Sequence, residues 1–424
     1  MFLKSITARN FRGFEGITVE FSHGINLLIG NNGTGKTSLI EAISIALSTS
    51  FFQLRDIPLQ YMDDNSVHYV YAKDGDATHS FTRQFPQFIE CALSWQDAVI
   101  FPIGMIREGE ATSLKISDGS LAEKISLTVN KNNEPAPIFC LQSFDRDWTL
   151  HKDNQNASMS TGMTLRTDGY RGCLSGNGIE NVIQDWCLKM SFLEFQKKQP
   201  VHEFQLFQNT IKRFIAIMLE TSDDIQIEYS VETQGLEITI GDKKDSIYNL
   251  STGYRAILYM IMELAYRASV LNPTMQDFSE LEGVVLIDEI DAHLHPKWQW
   301  KILDAIRQVF PRVQFIIATH SPIVISSVKD ARIIKLIDLK TTEVLEPAYG
   351  YTADDVLELR QGSTARPENI VKRMQALENA VDDGDFDKAD KLLQDAKDEF
   401  GEASPIYNEM NRFIRVNRWV EDLE

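Results

Sequence analysis

No stretch of the chain combines the length and the freedom from charge that a membrane-spanning helix needs. The first residues, MFLKSITARNFRGF, contain no apolar h-region, so no secretory signal is expected. Cysteine is scarce. Cys91, Cys140, Cys173 and Cys187 are the only four in 424 residues, and none forms a C-x-x-C pair. That excludes a thiolate zinc module and fits a reducing cytoplasm, the expected location. Basic charge is short as well: 42 Lys and Arg stand against 61 Asp and Glu, for a formal net charge of -19. Non-specific binding to nucleic acid rests on cations neutralising phosphates, so a chain of this sign does not coat DNA, and only a local basic patch is left open. Repeats at solenoid periods are absent.

What is present is ample apolar material, 43% of the residues, enough for one large domain with an appendage or for two domains. Ile17, Val19 and Phe21 alternate with polar residues as in a half-buried strand, and INLLIG reads as a strand covered on both faces. The next segment spaces Leu39, Ile40, Ile43, Ala46 and Leu47 as a helix does. FIECALSW, KISLTV and PIFCLQSF read as strands, and residues 179–222 read as a helical insertion. IQIEYSV and LEITIG read as a hairpin, followed by a helix to about 270, the strand GVVLID, a helix over 297–309 and the strand VQFIIA. Alternating strands and helices predict an α/β head over 1–345 with a mainly parallel sheet and an antiparallel lobe. Residues 346–424 are acidic and helical and predict a small appendage. Its face of Ile370, Met374, Leu377, Leu392, Leu393 and Ala396 is one that a short appendage does not easily bury, so packing on the head and docking of a partner both stand as readings. Asp385 is placed to cap a helix after the DDGD break.

The chemistry concentrates in two strings. GNNGTGKT (Gly30, Asn31, Asn32, Gly33, Thr34, Gly35, Lys36, Thr37), with Ser38 after it, fits the phosphate-binding pattern G-x-x-x-x-G-K-[ST] between an apolar strand and a helix. Backbone N–H groups wrap the phosphates of ATP, Lys36 reaches the terminal phosphates and Thr37 binds Mg²⁺. GVVLIDEIDAHLHP ends a buried strand on two carboxylates. Asp288 is placed to hold Mg²⁺ and Glu289 to orient or deprotonate the attacking water. His293, His295 and His320 raise zinc as a rival reading of these acids. His320, at the end of VQFIIATHSP, either donates to a γ-phosphate or caps the strand end.

LSTGYR completes the set. In order, the phosphate loop, LSTGYR, LIDEIDAHLHP and ATHSP resemble the ABC-type ATPase heads of the SMC/RecF group, over about residues 1–330. That resemblance implies two heads stacked head to tail around ATP. Ser251 and Gly253 then serve the site of the partner copy, and Asp291 and Ala292 form the D-loop between the sites. It implies that Arg12 in NFRGF contacts nucleotide, with a plain surface arginine as the rival reading, and that a Q-loop glutamine exists, with Gln142 the first candidate and Gln84 and Gln87 its rivals. Without sustained heptads between phosphate loop and signature the head is compact, nearer RecF than the long-armed members.

The acidic tail is similar to that of the ATPase subunits (PtuA) of Septu-type anti-phage systems, including the retron-linked ones. The resemblance implies a head-to-tail dimer or higher oligomer, a small HNH (PtuB-like) nuclease as partner, and a retron reverse transcriptase with its nucleic acid as a further one. On this reading the chain is not a nuclease itself and regulates one. The alternative is a RecF-like repair or replication ATPase that binds DNA. Lys197, Lys198, Lys212, Arg213, Lys243 and Lys244 are the basic residues that reading has to use, and they are few.

Overall fold

In the computed structural model, residues 1–74, 78–96, 99–110, 112–131, 134–143, 164–177, 179–233, 235–364 and 366–421 are described. The chain opens with strands β1 (Phe2–Phe11), β2 (Phe14–Glu20) and β3 (Ile25–Ile29), followed by helix α1 (Lys36–Ser48). Strands β4 (Tyr69–Asp74), β5 (Thr78–Arg83), β6 (Gln87–Trp95), β7 (Val99–Arg107) and β8 (Lys115–Ile116) come next, then α2 (Ser120–Asn130) and β9 (Ile138–Ser143). Helices α3 (Glu180–Lys197) and α4 (His202–Leu219) lead into β10 (Ile225–Ser230), β11 (Gly235–Ile240) and β12 (Lys243–Ser246). The head closes with α5 (Thr252–Leu271), β13 (Gly283–Asp288), α6 (Pro296–Gln299), α7 (Ile302–Val309), β14 (Val313–Ala318), α8 (Pro322–Ser326), β15 (Arg332–Leu336) and β16 (Thr342–Leu345).

Six strands form the central sheet in the order β16-β15-β3-β14-β13-β9, with every neighbouring pair parallel except β15 and β16. β3 and β14 are apolar at nearly every position and buried throughout, as strands with helices on both faces must be. A five-stranded antiparallel lobe, β2-β1-β6-β7-β8, lies on the other side of α1, and β10-β11-β12 form a small sheet of their own. Sandwiched between sheet and lobe, α1 buries Leu39, Ile40, Ile43, Ala46 and Leu47.

KISLTV, predicted as a strand, lies in helix α2. Leu121, Ile125 and Val129 recur every four residues and all three enter the core, so the 3.6-residue period prevails over the β-branched composition that suggested a strand. The helix predicted over 297–309 is two, broken at Trp300 and Lys301.

Helix α5 is buried along its whole length from Ala256 to Leu271 and carries a buried ion pair. Arg267, fully buried, donates from Nε and Nη2 to Glu263 Oε1 at 3.0 and 2.7 Å, and from Nη1 to the carbonyls of Gly169 and Arg171. Gln142 Nε2 donates to the other carboxylate oxygen at 2.8 Å. The guanidinium is held in its charged form by Glu263 despite burial.

The head extends through Thr352 rather than ending at 345, because Ala348 is fully buried and Gly350 N–H donates to Ser326 O. The second unit, from Ala353, holds α9 (Ala353–Val356), a five-residue π-helical turn at Leu357–Gln361, α10 (Glu368–Asp382), α11 (Phe386–Phe400) and α12 (Pro405–Glu421). Asp385 caps α11 by accepting from Lys388 N–H at 3.0 Å. The apolar face predicted on α10 and α11 is not left open. Leu377, Ala380, Ala389, Ala396, Met410 and Ile414 form a core of their own, with Met374, Leu392 and Leu393 packed against it. The last helix, α12, supplies the cover, which the reading of α10 and α11 alone did not include.

Arg267→Met is expected to destabilise the head by about 3–5 kcal/mol, since Glu263 is left buried and unpaired, and Glu263→Leu/Arg267→Met to recover most of that loss. Urea unfolding followed by circular dichroism measures both. A single variant as stable as the parent would remove the pair from its structural role.

Candidate functional site

Three adjacent parallel strands, β3, β14 and β13, end at one edge of the sheet, and their following loops enclose a cleft of about 500 Å³. Asn32, Gly33, Gly35, Lys36, Thr37 and Ser38 form one side, and Asp288, Glu289 and His320 the other. Gly35 has φ +96°, and a Cβ there would lie 2.5 Å from the Phe14 ring, so the loop accepts no side chain at its last turn. Thr34 Oγ1 donates to Asn31 O at 2.9 Å and braces the loop from within.

Lys36 folds back over this loop and donates from Nζ to Gly30 O at 2.8 Å and Asn31 O at 3.1 Å. Burial lowers its pKa, and the carboxylates of Asp288, Glu289 and Asp291 oppose that fall. His320 is likewise lowered, first by burial and then by the Lys36 cation, against the pull of Asp291 and Glu289. It is therefore neutral at neutral pH, with one ring nitrogen a donor and the other an acceptor. Glu289 adopts φ +57°, a left-handed conformation disfavoured for a side chain of this kind, of the sort that gathers at reactive positions.

The segment after Glu289 is anchored in its own subunit. Asp291 accepts from Thr319 Oγ1 at 2.5 Å and from His320 N–H at 3.4 Å. Gln299 Nε2 donates to Leu294 O at 3.0 Å, and its Oε1 accepts from Ser321 Oγ at 2.7 Å. Ala292 closes the turn by donating to Glu289 O. Thr319 and Ser321 were legible in principle, as the polar residues flanking His320 at the end of an apolar run. Gln299, and the cleft-lining Gly13, Ala318 and Leu339, follow from no local pattern.

Ser251 and Gly253 do not line this cleft. Ser251 is exposed and caps α5, accepting from Tyr254 N–H at 3.4 Å. Gly253 is buried against the loop after β13, where a Cβ would come within 2.2 Å of His293 O. Tyr254 continues the contact with its ring 5.1 Å from that of Trp298. The helix that Ser251 caps thus rests directly on the segment after Glu289.

Arg12 is paired with Glu41 of α1 at 2.5 Å, and its half-exposed side chain is not among the cleft walls. Gln142 does not reach the cleft either: it is buried, and its amide is used by Glu263. Gln84 and Gln87 are bonded elsewhere, to Thr82 O and to Ser66 respectively. None of the three glutamines is therefore placed as a Q-loop residue in this structure. The histidines are dispersed as well. His295 caps α6, the His293 carbonyl meets Gly253, and among the described residues no group of three or more His, Cys, Asp or Glu is placed to hold a metal.

Fold and motifs together define an ABC-type ATPase head. The RecF/RecN/SMC N terminal domain family matches residues 2–342, and the chain belongs to that family. Among characterised relatives it is similar to a retron Vc95 probable ATPase of Vibrio cholerae serotype O1 biovar El Tor, at 25% identity over 91% of this chain and 84% of the relative. It is similar to Septu protein PtuA of Bacillus thuringiensis at 23% identity over 91% of both. A solved SMC head domain from Thermotoga maritima aligns over 82% of this chain and 99% of its own, at 14% identity and a TM-score of 0.44. No helix among the described residues is long and apolar enough to cross a membrane.

Gly253→Ala is expected to destabilise the head by about 1–3 kcal/mol, as an added methyl must displace backbone. Gly16→Ala, on an exposed position of β2 where a methyl meets only Arg9 Cγ at 4.0 Å, is the control and should leave the midpoint close to that of the parent. Calorimetric scans of the two variants read the difference.

Proposed function

We propose that this chain binds and hydrolyses ATP as the switching subunit of a bacterial defence complex. It closes head to tail with a second copy around the nucleotide, and that closure regulates a separate small HNH nuclease. The observation that carries the ATPase reading is the meeting of Lys36, Asp288, Glu289 and His320 from three strand ends around one cleft. The defence reading rests on similarity to retron and Septu ATPases along most of the chain.

The residues present suit a Mg²⁺-nucleotide. The groups that would hold a cation are the Thr37 hydroxyl and the Asp288 carboxylate, hard oxygen ligands that favour Mg²⁺ over softer metals. When bound, the ion neutralises phosphate charge and orients the terminal phosphate. Lys36 exchanges its two loop carbonyls for phosphate oxygens, whose negative charge favours its protonated form in this buried place. Glu289 holds the attacking water and accepts its proton, and neutral His320 donates to the γ-phosphate. Ser251, exposed at the start of α5, presents its hydroxyl and the first N–H groups of the helix to the phosphate bound by the other copy. The Asp291–Ala292 turn carries the state of one site to the next. Arg12 is one step from the cleft through Gly13 and reaches nucleotide by leaving Glu41.

Lys36→Ala should abolish ATP binding in isothermal titration. Glu289→Gln should bind ATP, hydrolyse it about a hundred- to ten-thousandfold more slowly and accumulate closed dimers in gel filtration. Turnover of this variant at the parent rate would take the water-activating role from Glu289.

Action in trans is tested by mixing. Lys36→Ala and Ser251→Arg chains, each inactive alone, place both lesions in one site of a heterodimer and leave the other whole. Hydrolysis should therefore return on mixing. A chain carrying both changes, mixed with the parent, should not form an active heterodimer. No return of activity in the first mixture, with the second keeping the share due to its intact parent chains, would overturn the shared site. Cleavage of DNA should appear only when the HNH protein is added to the purified chain, and metal-dependent cutting by the chain alone would overturn that part of the reading.

A further inference from the structure

Helix α12 turns Met410 and Ile414 into the core of the second unit, with Ile406 and Phe413 beside them. Its opposite face, repeating at three and four residues, carries Asn408, Asn411, Arg412, Arg415, Val416 and Trp419, which line a shallow groove of about 440 Å³. Trp419 is 65% exposed, an unusual place for an indole that function does not require.

The charge on this face runs against that of the chain. Arg412 and Arg415 have no ion-pair partner among the described residues, whereas the neighbouring acids are engaged elsewhere. Glu409 is bonded to Arg366 at 2.6 Å, and Asp390 to Arg418 at 2.9 Å. A protein of net charge -19 thus keeps two uncompensated guanidinium groups in one row with an open indole and two carboxamides.

We propose that this face of α12 binds single-stranded nucleic acid. Arginines in a row neutralise successive phosphates, and a bare indole stacks on an unpaired base. Asn411 and the carbonyl of Asn408 offer the donors and acceptors that meet base edges; the Asn408 amide nitrogen is already used on Ser404 O at 3.0 Å. A duplex offers no exposed base plane to the indole, so the single strand is the form this combination fits. The face commits to the polyanion rather than to a protein because its cations are unpaired and its apolar area is confined to Val416 and Trp419.

The test uses the full chain and three fluorescein-labelled probes: a twenty-nucleotide oligo-U RNA, an oligo-dT DNA of the same length, and a DNA duplex. Anisotropy should show tighter binding to a single strand than to the duplex, and the ratio of RNA to DNA affinity assigns which strand is preferred. Arg412→Glu/Arg415→Glu should weaken binding at least tenfold and reduce the slope of log affinity against log salt by about 1.4, as two phosphate contacts predict. Trp419→Ala should weaken it by about five- to a hundredfold with the salt slope unchanged. Lys388→Glu/Lys391→Glu, an equal change of charge on exposed positions of α11, should leave binding within twofold of the parent. Circular dichroism confirms that each variant is folded. ATP binding should be unaffected in all of them, which separates failure here from failure of the ATPase reading. Absence of binding by the parent chain, equal loss in the α11 control, or unaltered binding in the arginine and tryptophan variants overturns the proposal. Loss of a protein partner in the face variants with oligonucleotide binding unchanged overturns it too, and gives the face to that protein.

Discussion

A lysine buried beside three carboxylates cannot be left to solvent or to chance. Lys36 loses hydration in the cleft, and the structure compensates with two loop carbonyls and the field of Asp288, Glu289 and Asp291. That balance requires the loop after β3, the end of β13 and the turn beyond it to sit at one level. Parallel pairing of β3, β14 and β13 provides it, with Leu27 opposite Ile317 and Ile317 opposite Ile287. A shift of one residue in either pairing would exchange the faces of the strand and withdraw the carboxylates from the ammonium.

The motifs and the sheet that carries them were legible in the sequence because each depends on local pattern. An unbroken apolar run announces a strand covered on both faces, and the glycines of the phosphate loop are required by backbone geometry at that place. What was not legible depends on partners distant in sequence. Gln142 ends an apolar strand, as a Q-loop residue would, yet its amide is consumed by Glu263, 121 residues away. The face of α10 and α11 looked unpartnered because α12, which covers it, begins only at Pro405. KISLTV has strand composition, and only its burial at every fourth residue reveals the helix.

Two further contacts tie the signature helix to the rest of the head. Near its C-terminal half, Glu263 and Arg267 fix α5 to the end of β9 and to the carbonyls of Gly169 and Arg171. At its N-terminus, Gly253 and Tyr254 rest on the segment after β13. The helix that offers Ser251 outward is thereby held at both ends, at its start by the segment that follows Glu289.

The Gly253 contact has a mechanical character of its own. A carbonyl oxygen seated against an α-carbon is a steric stop with no hydrogen bond across it. Such a stop transmits compression and not tension. Main chain meets main chain at this point, so any added volume has to be taken up by backbone, while the ring contact of Tyr254 with Trp298 beside it is the part of the joint that side chains can adjust.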